Sequence, residues 1–147
     1  MIRNVLLSRT DRIGDLILST PAIATVRASF PQAHIRMVVS PYNRVVMERN
    51  DDVDELIELT PDEPPARLGR RQGPLDLAIA LAPRAVDLQL AGATRAGVRV
   101  GYTYERRWFA RLTAPLYVNR LMISEADPEL CERDPKRLVR HEVDQLL

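Results

Sequence analysis

The sequence predicts an α/β fold, an open parallel sheet with helices on both faces. Apolar runs of strand length recur at 2–7, 35–39, 56–59, 75–82 and 98–102, with helix-like segments among them. Their alternation is the pattern of a parallel sheet covered by helices. The 147 residues are the size of one ordinary domain, enough to bury a core without disulfides or metals.

Taken in order, the first helix falls within 15–30, where Leu16, Ile17, Ile23 and Val26 supply an apolar face. Pro21 leaves two arrangements open: Thr20 as N-cap with Pro21 at N1, or a helix from Asp15 kinked at Pro21. A second helix is expected from "SPYNRVVMERN", with Ser40 as cap, Pro41 at N1 and an end near Asn50. The segment "TPDEPPARLGRRQGP", 60–74, is punctuated by proline and glycine and reads as a loop carrying Arg67, Arg70 and Arg71. "VDLQLAGA" suggests a helix ending at Gly92, and "VRVGY" another buried strand. From Tyr104 onward the pattern weakens, until "PKRLVRHEVDQLL", 135–147, reads as a closing helix. The chain shows no internal repeat and no low-complexity tract.

Lys plus Arg total 21 against 20 for Asp plus Glu, a net charge of +1. No global field draws in nucleic acid or anionic lipid, so nucleic acid is not an expected partner and any anion site must be local. Lys136 is the only lysine; the arginines provide planar forks suited to phosphate and carboxylate. Cys131 is the only cysteine, which excludes an internal disulfide framework and a cysteine-rich zinc site. The start "MIRNVLLSRTDR" lacks a signal-peptide pattern, and no apolar run approaches the ~20 residues of a membrane span. The expectation is a cytoplasmic protein whose only attachment to a membrane is peripheral.

Open parallel sheets bind ligands at the carboxyl ends of their strands, which singles out "SRTDRIGD" after the first run. A dinucleotide fingerprint has three glycines, GxGxxG, whereas this turn has Gly14 alone beside an acid, so tight pyrophosphate binding is not expected there. Gly14 suits a close backbone turn. Asp15 either caps the helix or projects a carboxylate into the cleft.

The stretch "RTDRIGDLILSTPAIATVRASFPQAHIRMVVSP" resembles the opening of the bacterial heptosyltransferases, glycosyltransferase family 9, where a strand leads into an R-x-D-x-x-GD turn and an L-x-T-P-A-I/L segment. "NDDVDELIEL" is similar to the family's N-P-x-V-D-E-V/I segment and "PLDLAIAL" to its D-x-x-I-x-L strand. "LAGATRAGVRVGY" is similar to its LAGA…R-x-GY stretch and "RHEVDQLL" to its H-x-V-x-x-x-L helix. Together these cover most of the chain in the family's order.

The resemblance implies one Rossmann-like acceptor-binding domain over 1–147, the N-terminal half of a two-domain GT-B enzyme that transfers heptose from ADP-heptose to the lipopolysaccharide inner core. In the family the aspartate of the GD turn is taken as catalytic base, which here is Asp15. The chemistry fits, since a carboxylate within reach can accept the proton of an attacking acceptor hydroxyl. Arg9 and Arg12 are expected to hold Asp15 ionised or to meet acceptor phosphates, with solvated surface arginines as the alternative. Asp11 reads as a turn former. Arg67, Arg70 and Arg71, at i, i+3, i+4 spacing, share a face if that segment is helical and would then grip an anionic acceptor, with a solvated loop as the alternative. "ERRWFARL" either rests its Trp108 and Phe109 on the inner leaflet near a lipid-linked acceptor or packs them in the core. His141 belongs to the H-x-V signature and is assigned neither metal nor catalysis.

The sequence also departs from the family. Where acidic or polar residues often follow the fourth strand, this chain has "ALAPRAVDLQLAG"; Ala80, Ala82 and Pro83 cannot make those contacts, and Arg84 is the nearest substitute. The likeness ends at "RHEVDQLL", where the family continues into the domain that binds the ADP-sugar. The expectation is therefore a chain without the donor-binding domain and without cofactors of its own, inactive alone, whose partners are a lipid-linked sugar acceptor and a separate donor half. The alternative is a non-catalytic acceptor-glycan binding module or a truncated remnant.

Overall fold

The structure, a computed structural model, describes residues 1–124. Among the described residues six parallel strands form one sheet: β1 (Asn4–Ser8), β2 (His34–Val39), β3 (Glu55–Glu58), β4 (Leu77–Ala80), β5 (Val98–Tyr104) and β6 (Arg120–Ser124), in the order β3-β2-β1-β4-β5-β6. The order reverses at β1, whose Ser8 lies opposite Val38 of β2 on one side and Ala80 of β4 on the other. The crevice beyond the carboxyl ends of β1 and β4 is thus the topological switch point of an open α/β sheet.

Strict alternation along the strands builds two cores. Val5 and Leu7 pack with Leu16, Ile23, Ile35 and Met37 on one face, while Leu6 joins Leu68, Ala78, Ala80, Leu88 and Leu90 on the other. Because both faces are covered, the central strands read as unbroken apolar runs. The second core is closed by α3 (Pro65–Arg71) and α4 (Ala85–Ala93), which approach closely at Gly69, where an added Cβ would lie 2.5 Å from the Leu90 carbonyl oxygen. Asp54 ties the other side together. Its carboxylate accepts from the Ile35 amide at 2.6 Å and from Arg27 at 2.6 Å.

The first helix follows neither arrangement open to the sequence. It is two helices, α1 (Ile13–Leu18) and α2 (Thr20–Ser29), broken at Ser19. Pro21 has no N–H to give the Ile17 carbonyl, and the Thr20 hydroxyl donates to that oxygen instead, at 2.8 Å. The helix expected over Ser40 to Asn50 is absent. Ser40 and Asn43 exchange side-chain and backbone hydrogen bonds, and only a short 3₁₀ turn, Arg44–Val46, follows. Asn43 spends its side chain on a tight turn and two β-branched valines follow it, so the segment does not propagate as a helix. The expected loop of 60–74 contains α3 instead, with Pro64 and Pro65 setting its first turn. The exposed edge strand β6 has no counterpart among the apolar runs, because only part of it packs on the core. The closing helix expected over 135–147, which includes Lys136 and His141, lies outside the described residues, as does Cys131.

Candidate functional site

After β1 the chain continues extended into the Arg9–Arg12 turn, and the Arg9 amide adds one more ladder bond to the Val38 carbonyl, 3.1 Å. The Arg9 side chain then turns inward and is almost wholly buried, at 2% exposure. Its Nη1 donates to the Leu81 carbonyl at 2.6 Å and to Ser19 Oγ at 2.9 Å, while Nε donates to Asp11 Oδ1 at 3.0 Å. Burial opposes the charge, but attraction to Asp11, Tyr102 and Asp15 outweighs it and holds the Arg9 pKa above its ordinary value. Arg9 therefore fixes the turn and cannot meet acceptor phosphates, which corrects that half of its expected role. Its Nη2 also lies 3.8 Å from Asp15 Oδ1, an ion pair beyond hydrogen-bond length.

Asp15 sits in the first turn of α1, where the helix N-terminus favours negative charge, and its side chain is 36% exposed. It is not the cap. Arg12 occupies the N-cap position with no side-chain capping bond, and Asp15 stands three residues on, at the carboxyl edge of the sheet. Ser19 links the two anchors, accepting from Arg9 and donating to the Asp15 carbonyl at 2.8 Å. Gly14 is helical and exposed, and a Cβ there would meet nothing within 4 Å, so the expected close turn is not what requires glycine. Asp11 is less a turn former than the half-buried ion-pair partner of Arg9.

Two residues that sequence reasoning passed over complete the site. Asn43, fully buried, donates from Nδ2 to the carbonyls of Arg9 (3.0 Å) and Asp11 (3.2 Å) and so clamps the β1 turn to the β2 turn. Asp87, in the first turn of α4, is also fully buried and accepts from the Thr10 hydroxyl at 3.1 Å. Burial first, and the negative charge of Asp11 second, push the Asp87 carboxyl up to about 6. The Thr10 and Ser8 hydroxyls beside it work against that rise. The signal for Asp87 was available: a single acid inside the apolar segment "VDLQLAGA".

The arginines separate into two groups. Arg12 and Arg84 are exposed at the N-termini of α1 and α4, both on the carboxyl edge of the sheet at the switch point. Arg67, Arg70 and Arg71 lie on α3 and are exposed, yet the helix runs back across the sheet. Arg70 lines a shallow cavity of about 430 Å³ with Leu75, Thr94 and Arg95, next to the amino ends of β4 and β5. That is the opposite edge from Asp15, so Arg70 is not brought to the switch-point crevice. Arg71 is paired with Glu63 at 2.5 Å.

No protein-family model and no curated protein matches the chain. Solved structures do. A glycosyl transferase family 9 protein from Veillonella parvula DSM 2008 superposes over 98% of this chain and 39% of its own, with TM-score 0.73 and 23% identity. E. coli ADP-heptose lps heptosyltransferase II superposes over 87% and 36%, with TM-score 0.64 and 21% identity. E. coli heptosyltransferase WaaC with ADP does so over 97% and 44%, with TM-score 0.67 and 17% identity. The chain thus spans about two fifths of the length of these proteins, 36–44%. What it shares with them is the fold, a Rossmann-like open parallel sheet of the kind that forms the N-terminal part of a GT-B glycosyltransferase.

Proposed function

We propose that the chain is the acceptor-side domain of a family 9 glycosyltransferase, acting in heptose transfer from ADP-heptose to a lipid-linked inner-core acceptor. The observation that carries the reading is the placement of Asp15: a partly exposed carboxylate at a helix N-terminus, at the switch point, held 3.8 Å from a buried arginine. The ordered motif series and the shared fold agree with it.

In the reaction, the acceptor hydroxyl attacks the anomeric carbon of the donor. Asp15 takes the hydroxyl proton as the new C–O bond forms, and the bond between the anomeric carbon and the phosphate oxygen breaks, its electron pair leaving with ADP. Arg9, pinned by Asp11, Ser19 and Leu81, holds Asp15 in place, which matters because a small misplacement of a reacting group costs much of the rate. Arg12 and Arg84 are the side chains positioned to meet anionic groups of the acceptor. The donor is bound by a second domain, in the same polypeptide or another, and this domain supplies no cofactor and does not turn over alone. It works on the cytoplasmic side of the membrane that carries the acceptor.

The test is heptosyl transfer from ADP-heptose to a truncated lipopolysaccharide core, with this chain alone and with a donor-binding domain added. Turnover in the mixture only is the expected result. A folded chain that binds the acceptor, yet supports no turnover with any donor domain, would make it a binding module.

A further inference from the structure

Helix α5 (Trp108–Thr113) contains no buried residue. Trp108 and Phe109 stack edge to face at 5.8 Å and stand 68% and 66% exposed, and Leu112 and Leu116 beside them are 69% and 78% exposed. The core alternative for these aromatics is therefore excluded. Arg106, Arg107 and Arg111 are exposed around the same patch, with Glu105 the only acid between 105 and 116, so the segment carries one negative and three positive charges, +2. The patch is rooted at the switch-point edge. The Arg107 guanidinium lies 5.1 Å over the Tyr104 ring and donates to the Pro83 carbonyl at 3.3 Å, two residues from the Leu81 carbonyl that anchors Arg9.

We infer that this apolar tip docks on an anionic phospholipid bilayer. Indole, phenyl and leucine side chains ringed by guanidinium groups match the boundary between acyl chains and negatively charged headgroups. A second copy of the chain fits poorly, because a twofold contact would set the same arginines against each other. A six-residue helix and its following turn are also far short of the roughly 20–30 residues a side of a stable protein interface. Docking here turns the Asp15 crevice toward the bilayer that carries the acceptor. That consequence rests on the function proposed above, whereas the docking does not.

Trp108 is the only tryptophan of the chain, so its fluorescence reports on the patch directly. The full chain is titrated with phosphatidylethanolamine–phosphatidylglycerol vesicles and with phosphatidylcholine vesicles. The expected result is a blue shift with the anionic vesicles alone, weakened by salt and by the double variant Leu112→Ser/Leu116→Ser, which loses roughly tenfold or more in vesicle affinity while its circular dichroism is unchanged. No shift, or an equal shift with neutral vesicles, would overturn the inference. A blue shift that grows with protein concentration without vesicles would overturn it too, in favour of self-association. Transfer to a lipid-free acceptor core with a donor-binding domain added, which the double variant leaves unchanged, reports separately on the proposed function.

Discussion

Arg9 Nη1 and the Leu81 carbonyl oxygen, 72 positions apart in the chain, lie 2.6 Å apart in the fold. This single bond joins the turn after β1 to the turn after β4 across the switch point. The turn that leads to Asp15 is therefore fixed from outside its own loop, by this buried cation together with Asn43 and Asp87.

Arg9→Met is expected to destabilise the domain by about 3–5 kcal/mol, because it leaves Asp11, Ser19 Oγ and the Leu81 carbonyl without their buried partner. Lysine at this position keeps the charge but cannot reproduce the fork. Urea denaturation of the two variants measures this directly; losses below about 1 kcal/mol would show the network to be dispensable.

Gly14→Ala separates folding from function. The added methyl meets open space on a helix, so stability is expected to hold or to rise by up to about 1 kcal/mol. Acceptor binding is expected to weaken where the methyl intrudes on the crevice. Thermal melts beside acceptor titration check both halves.

Asp87 predicts a pH dependence of definite sign. Its folded pKa, about 6, lies above the ordinary 3.8, so between those values the folded chain keeps a proton that the unfolded chain has released. Its contribution to stability is full below about pH 4 and is lost as pH rises through about 6, a change on the order of 3 kcal/mol. Asp54 and Asp76 act in the opposite sense. Desolvation works against the Asp54 charge, but the Ile35 amide and Arg27 outweigh it; Asp76 is held by the amides of Arg3 and Asn4, and both pKa values lie below the ordinary 3.8. Their stabilisation is present above that value and is lost as pH falls through the lowered pKa. Asp87→Asn is expected to flatten the slope between about pH 4 and 6 and leave the acid limb intact, as denaturation at a series of pH values would show.

The two arginine groups are expected to behave differently. Arg12→Ala and Arg84→Ala each raise acceptor KM by roughly ten- to a hundredfold, the loss of a charge-assisted contact. Arg70→Ala, on the far edge, leaves it unchanged. A KM rise for Arg70→Ala equal to the others would return α3 to the acceptor site.

The sheet was legible because buried parallel strands announce themselves as apolar runs, and the position of Asp15 at the switch point because it follows the first such run in an open parallel sheet. What stayed hidden depends on long-range contacts. The burial of Arg9 needs Leu81 and Ser19 around it, and the turn at Asn43 competes with a helix that local spacing favours. In α3, a proline pair that reads as loop punctuation instead starts a helix. Trp108 and Phe109 show the converse: apolar composition alone does not say which side of the surface a side chain occupies.

The central claim is that Asp15 is the base of glycosyl transfer. Its most direct measurement is kcat for Asp15→Asn in an assembly containing the donor-binding domain, with acceptor affinity measured in parallel. The account predicts a fall in kcat of about 10²–10⁴ with acceptor affinity and folding retained. A kcat within a few-fold of the parent would contradict it.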